Sequence, residues 1–237
     1  MNKKKPLRHS TESSYKKGDS TRKNILDSAL KVFAEKGFDA ATTRLIASKA
    51  GVNPPALQYY FENKEGVFIS CAEKLVEENI SYFMPLIEIA KSLDSTHDIS
   101  EHINIIYNIL EAILERIFTV SDFHYVQLFL SRTQLGQGPQ SAFDIIYDKL
   151  DSPLHDAVSG LVAIISNLPL DNEKVHLRTL SLFGLIGSYL NQRRSVMAKL
   201  NWKEIDECKL ALLKEVMRED CMALIRSWQR EETTIRK

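Results

Sequence analysis

Apolar residues along this chain recur at intervals of three and four, the spacing of one helix face. Ile25, Leu26, Ala29, Val32 and Phe33 form the first such stripe, with Ser20 or Thr21 positioned to cap its start and Gly37 to end it. A second, shorter helix is predicted from Thr42 or Thr43 to Gly51, and a third from Pro54 to Phe61. Asn63 caps a fourth, long helix that carries Glu65 in its first turn. Beyond residue 80 the same period covers residues 99–119, 121–135, 140–167, 172–198 and 203–229. The breaks fall in KSLDSTHD, GQGP and NLPLDNE, all rich in turn-forming residues. Pro85 and Pro153 lie inside helical patterns and are expected to kink or split them. Period-two alternation is absent, so the predicted class is all-α. Residues 1–19, polar and interrupted at Gly18-Asp19, read as a disordered basic N-terminal arm.

The adjacent prolines Pro54 and Pro55 look out of place between two helical patterns, yet they suit the start of one. Asn53 is a good N-cap, and a proline at the first helical position gives up an N–H that has no intrahelical partner. Gly51 accepts the positive φ needed where the preceding helix stops. Leu45, Ile46 and Ala50 are expected to face inward, Val52 to tuck beneath the turn, and Leu57 and Phe61, one turn apart, to anchor the third helix. The result is a helix-turn-helix. Tyr59, Tyr60 and Phe61 then sweep about 200° around that helix, since each residue advances by about 100°. They cannot all face one core, so at least one tyrosine must point outward, where its phenol can reach a phosphate.

Composition adds a charge asymmetry. Residues 1–64 carry 13 Lys/Arg against 6 Asp/Glu and the remainder 18 against 25, although the formal net charge is +0. A basic head on an acidic body fits binding of a polyanion by the head. Without residues 1–17 the head retains only 7 positive against 5 negative, so the arm supplies most of the excess. Cys71, Cys208 and Cys221 are too scattered for a disulfide framework and are expected to be buried or partly buried thiols in a reducing cytoplasm. The apolar window INIIYNILEAILERIF is interrupted by Glu111, Glu115 and Arg116, and the basic start lacks the apolar run of a secretion signal. No membrane span is therefore expected, and a cytoplasmic location is. Glycine-rich phosphate loops, nucleophile elbows and metal-ligand spacings are all missing, so no catalytic residue, cofactor or metal is expected. An all-α enzyme and a helical adaptor that binds only protein are the alternatives on these grounds.

Residues 21–68 resemble the N-terminal DNA-binding domain of the TetR family of bacterial transcriptional regulators. The resemblance is carried by A-x-x-x-F-A-E-K-G-F, T-T-R-x-I-A, A-G-V and L-x-Y-Y-F-x-N-K-E, each in step without a gap. It implies that Thr43 contacts a phosphate and Arg44 a phosphate or a guanine edge. Pro54, Pro55, Ala56 and Gln58 would face the major groove, Tyr59 and Tyr60 would lie on the DNA backbone, and Lys64 would pair with a phosphate. Gln58 departs from the tyrosine common there, and as an amide it suits adenine. Pro55 replaces a frequent glycine or small residue, and Gly66 stands where a larger residue is usual.

FLSRTQL, DSPLHDAV and LIGSYLNQRR resemble the C-terminal domain of CecR-like regulators, a subgroup of that family. The implied organisation is an arm over 1–19, a DNA-binding domain over 20–79, and an effector-binding and dimerisation domain over 80–237. The implied partners are a palindromic double-stranded operator, a small-molecule effector and a second copy of the chain, most often in a repressor. Gly184, Gly187 and Ser188 permit close helix contact, and Leu213, Met217, Cys221, Leu224 and Trp228 share one helix face. Those helices are expected to form the dimer interface, with packing inside one protomer as the alternative. Tyr125, Phe129 and Arg132 are candidates for an effector pocket, with a structural salt bridge the favoured reading of Arg132.

Overall fold

The computed structural model describes residues 11–120 and 122–235, with side chains described for 18–120 and 122–229. Eleven α-helices and one π-helical turn make up most of the described residues, with no strand among them. They are α1 (Thr11–Ala40), α2 (Thr43–Lys49), α3 (Pro54–Tyr60), α4 (Lys64–Ser92), α5 (Ile99–Thr119), α6 (Phe123–Gln134) and α7 (Gln140–Ile146). The π turn (Tyr147–Asp151) follows, then α8 (Ser152–Ile165), α9 (Glu173–Asn191), α10 (Arg193–Lys199) and α11 (Glu207–Ile235). The chain divides into two compact units: a head made of the chain up to Glu77 together with His124–Ile146, and a body made of Glu78–Phe123 and the chain from Tyr147 onward.

In the head, Ile25, Ala29 and Phe33 of α1 are fully enclosed, as are Ile46 and Ala47 of α2 and Val67 and Ala72 of α4. Leu57 of α3, Phe68 of α4 and Phe129 of α6 are almost as deeply buried. Phe68 is the centre of this core. It meets Phe33 edge-on at 4.8 Å, Phe38 edge-on at 5.3 Å and Phe129 at 4.5 Å between ring centroids. Burying one such ring stabilises the fold by about 1.5–3 kcal/mol, with a further ~0.5–1.5 for a well-oriented aromatic pair. Residues 124–146, expected in the C-terminal domain, group with the head, where Phe129 packs on Phe68.

The start of α1 also differs from expectation. The helix begins at Thr11, so Thr11–Asp19 is helical and neither Ser20 nor Thr21 is its cap, while residues 1–10 lie outside the described residues. Gly18 inside a helix costs roughly 1 kcal/mol relative to alanine. The Tyr60 hydroxyl lies 3.7 Å from where a Cβ at Gly18 would stand, an ordinary contact distance. At the other end, Gly37 leaves helical geometry at φ 78°, which ends the regular part of α1 three residues before Ala40.

In the body, α5, α8, α9 and α11 pack on one another. Ile106, Leu110 and Leu114 of α5, Val158 and Leu161 of α8, Val175 and Leu182 of α9, and Met217 and Ile225 of α11 fill the space between them. Two polar devices tie these helices together, one inside the core and one at its partly exposed edge. Ser159 donates to Thr179 Oγ1 at 3.1 Å, which donates to the Val175 carbonyl at 3.0 Å. Lys214 of α11 reaches Glu111 at 3.0 Å and also bonds Glu115, tying α11 to α5. Pro153 behaves as expected: it sits in the first turn of α8, directly after the π turn. Its missing N–H cannot bond the carbonyl four residues back, which is where the α7 pattern gives way. Pro85 does not split α4, which runs unbroken from Lys64 to Ser92 with Phe83 and Ile87 buried on either side of the proline.

Cys71 and Cys221 are buried and Cys208 is exposed, which corrects the expectation of three sheltered thiols. Burial raises both buried thiols, Cys221 to about 11. A thiol-specific disulfide reagent at neutral pH is therefore expected to titrate Cys208 rapidly and the other two only after denaturation. Rapid native reaction of a C208S variant would contradict this packing.

Candidate nucleic-acid interface

Helices α2 and α3 have seven residues each, too few to be stable alone, so their ends and buried faces must hold them. Thr42 caps α2 by accepting from the Leu45 N–H at 3.1 Å. At the far end Gly51, at φ 67°, lets its N–H reach the Ser48 carbonyl at 3.2 Å and the Val52 N–H reach that of Ala47 at 3.0 Å. These two bonds form a Schellman stop. The Asn24 side chain of α1 donates to the Ala50 carbonyl at 2.7 Å and so pins the turn from behind. Asn53 then opens α3: its Oδ1 accepts from the Ala56 N–H at 2.8 Å, with Pro54 and Pro55 in the first turn.

The inner face of this pair is Ile46, Ala47 and Ala50 on α2 with Leu57 on α3 and Phe61 as its cap, all buried. Leu45, expected inside, is 39% exposed because it lies about 100° around from Ile46. Val52 is half-buried. The outer face of α3 holds Pro54, Pro55 and Gln58, all exposed, with Ala56 half-buried at its edge. Tyr59 stands 83% exposed and meets the half-buried Tyr60 edge-on at 5.1 Å. Of the three consecutive aromatics, one therefore points outward, one lies at the rim and one anchors the core.

Arg44 is exposed and Thr43 half-buried at the start of α2. Lys64 is engaged within the head: its ammonium donates to the Phe38 carbonyl at 2.8 Å and the Asp39 carbonyl at 3.3 Å, and lies 4.3 Å from the Phe38 ring centroid. An ammonium has three donors, so Lys64 joins the end of α1 to the start of α4 with one N–H left to meet a phosphate. The surface can thus offer a guanidinium, an amide, two phenols and a donor-poor apolar helix start to a duplex. Asn24, which braces this surface, is not among the residues expected from sequence. Its partner is 26 positions away, and no short-range pattern marks it.

The candidate effector residues sit in the head, engaged with other head residues. Phe129 is buried against Phe68, and the half-buried Tyr125 ring lies 5.4 Å from the Lys31 ammonium. Arg132 is paired with uncharged groups. Its Nε donates to the Ala34 carbonyl at 3.0 Å and a terminal nitrogen to Gln137 Oε1 at 2.9 Å. That nitrogen lies 3.1 Å from where a Cβ on Gly37 would stand, so the guanidinium fills the space the glycine leaves at the end of α1.

The candidate dimer residues divide. Leu213 and Met217 are buried in the body core with Cys221, Ile225 and Trp228, which corrects their expected role. Leu224 is half-buried, while Gly184 and Ser188 are exposed on α9. The exposed apolar positions lie one step around the helices, at Leu177 (62%) and Leu180 (55%) on α9 and at Leu212 and Val216 on α11.

Residues 25–71 match the family described as bacterial regulatory proteins, tetR family. Residues 103–227, more than half of the chain, match the C-terminal domain of the HTH-type transcriptional dual regulator CecR. The CecR protein of Shigella flexneri is 29% identical over 203 residues, covering 85% of this chain and 89% of that one. A TetR-family regulator from Bordetella parapertussis 12822 shares the fold at a TM-score of 0.60 and 19% identity, over 84% of this chain and 93% of its own. The regulator FadR of Bacillus subtilis, solved in complex with stearoyl-CoA, does so at 0.55 and 19% identity, over 84% and 96%.

Arg132→Ala should remove a charged hydrogen bond from a buried carbonyl and destabilise the protein by about 1.5–3 kcal/mol, measured by urea unfolding. Unchanged stability would show that the guanidinium does not hold α1 to α6.

Proposed function

The chain belongs to the tetR family of bacterial regulatory proteins, in the branch with the CecR C-terminal domain, and we propose that it works as a homodimeric repressor released from a palindromic operator by a small-molecule effector. It is a DNA-binding transcriptional regulator, and its relatives are regulators rather than enzymes. The observation that carries the proposal is the outer face of α3. An 83% exposed tyrosine, two exposed prolines and an exposed amide stand on a helix locked from behind by Leu57, Phe61 and the Asn24 bond. Solvent gives a large, fixed aromatic surface no stabilisation; a nucleic-acid backbone does.

In this reading Arg44, Gln58 and the Pro54–Ala56 turn meet base edges or sugars, while Thr43, Tyr59, Tyr60 and the remaining N–H of Lys64 meet phosphates. Two copies of α3 enter successive major grooves about 34–36 Å apart on one face of the DNA. The dimer forms through the outer faces of α9 and α11, where Leu177, Leu180, Leu212 and Val216 are exposed. Gly184 supports this: a Cβ there would meet nothing within 4 Å, so no contact inside the protomer requires its small size. A neighbouring helix from a second copy does, as in other closely packed bundles. The body binds the effector, and differential affinity of that ligand for two arrangements of the dimer sets operator release. The protein acts in the cytoplasm, where its operator lies; among the described residues no helix is long and apolar enough to cross a membrane.

Mobility-shift titration against the DNA upstream of the chain's own gene is expected to give salt-sensitive binding to a palindrome; a folded dimer that leaves that DNA unshifted at low salt would sink the proposal. Arg44→Ala should weaken specific binding by about 1–3 kcal/mol if it reads a base, and equally on all sequences if it holds a phosphate. A paired L177D/L212D change should yield folded monomers by sedimentation. Leu213→Asp should instead unfold the body, since a carboxylate would be buried there without a partner.

A further inference from the structure

The C-terminal end of α3 lies against α1. Gly18 and Arg22 are four residues apart on α1 and so share a face of that helix. The Tyr60 hydroxyl lies 3.7 Å from where a Cβ at Gly18 would stand, and the Arg22 guanidinium lies over the Phe61 ring, 5.4 Å from its centroid. Phe61 is the buried cap of α3, Tyr60 is half-buried, and Tyr59 beside it stands clear of the surface. Arg22 itself is exposed. A cation therefore flanks the surface assigned to DNA, at the end where both phenols stand. Of the acidic residues on either side of it in α1, Asp27 is bridged to Lys74 at 2.8 Å. Asp19 is exposed, where an ion pair with Arg22 would contribute little.

We infer that Arg22 binds a phosphate of the duplex beside the Tyr60 hydroxyl, next to the half-site that α3 occupies. The inference rests on the reading of α3 as the groove element. A guanidinium within about 6 Å of a ring is attracted to the ring through its charge, and its N–H donors remain available to a second partner. That donor set matches a phosphate as a fork, and the neighbouring phenol adds one more donor. Because Phe61 already restrains the Arg22 side chain, less rotamer freedom is lost when DNA arrives. The competing role for Arg22 is to cover Phe61 with its aliphatic stem. Cover needs only length, whereas a phosphate needs the cation. The contact touches no base, so its contribution is the same on every sequence.

The test is fluorescence anisotropy of a labelled mixed-sequence duplex, titrated with the full chain between about 50 and 200 mM salt. Compared with it are Arg22→Gln, which keeps a long side chain over Phe61 without the charge, and Arg22→Lys, which keeps the charge; thermal unfolding is followed for each. One neutralised phosphate contributes roughly 0.9 to the log–log salt slope. Over that salt range the full chain should therefore lose about three- to four-fold more affinity per bound chain than Arg22→Gln. Arg22→Lys should keep the full slope. Equal slopes for the full chain and Arg22→Gln would overturn the phosphate contact and leave Arg22 as cover for Phe61, with DNA binding by α3 intact. A slope lowered equally in both variants would overturn it as well, since charge would then not be the cause. Failure of the full chain to bind at the lowest salt would instead overturn the reading beneath it.

Discussion

Two seven-residue helices cannot sustain themselves in water, because nucleation fixes several residues for each hydrogen bond gained. The outer surface of this pair therefore depends on how the ends of α2 and α3 are satisfied. Thr42, the Gly51 turn and Asn53 supply local partners, and Asn24 supplies one from α1. Each bond of this kind contributes on the order of 1 kcal/mol, comparable to the preference lost when a good cap becomes alanine. Together with Leu57 and Phe61 they fix the axis of α3 relative to α1. Only because that axis is fixed do Gln58 and Tyr59 present a constant outline, which is a prerequisite for reading a groove of fixed dimensions.

Local chemistry explains how much of this was legible in the sequence. Caps, a Schellman glycine and a proline-led start act over two to five residues, so Gly51, Asn53, Pro54 and Asn63 could be read directly. The helical period was equally plain in α5, whose observed bounds coincide with those predicted. Contacts that close long loops leave no such trace. Asn24 to Ala50, Lys64 to Phe38 and Arg132 to Ala34 span 26, 26 and 98 residues, and the last of these fastens α6 to α1. The start of α1 was misread for a different reason. Gly18-Asp19 has the composition of a break, whereas the helix continues through it to Thr11.

On α11 the period was right and the phase wrong. Leu212 and Leu213 are neighbours, as are Val216 and Met217, so two apolar stripes run side by side down the helix. Sequence alone gives no way to choose which stripe faces the protomer core. Packing with α5 and α9 selects Leu213, Met217, Cys221 and Ile225 for the inside, leaving Leu212 and Val216 outside beside the exposed residues of α9. The glycine at 184 belongs to the outer set, which is why its small size has no explanation within one protomer.

The chain passes between head and body three times, within α4 at Glu77–Glu78, at Phe123–His124 and at Ile146–Tyr147. Two of these crossing pieces, α4 and α6, contribute the Phe68 and Phe129 rings that meet at 4.5 Å in the head core. Both also grip α1, Phe68 through Phe33 and α6 through the Arg132 bond to Ala34. Close-packed aromatic cores do not deform continuously. A pull on α4 or α6 must either carry α1 with it or open contacts worth several kcal/mol. Since α1 holds the α2–α3 turn through Asn24, the head would move as a piece, with the outline of α3 unchanged.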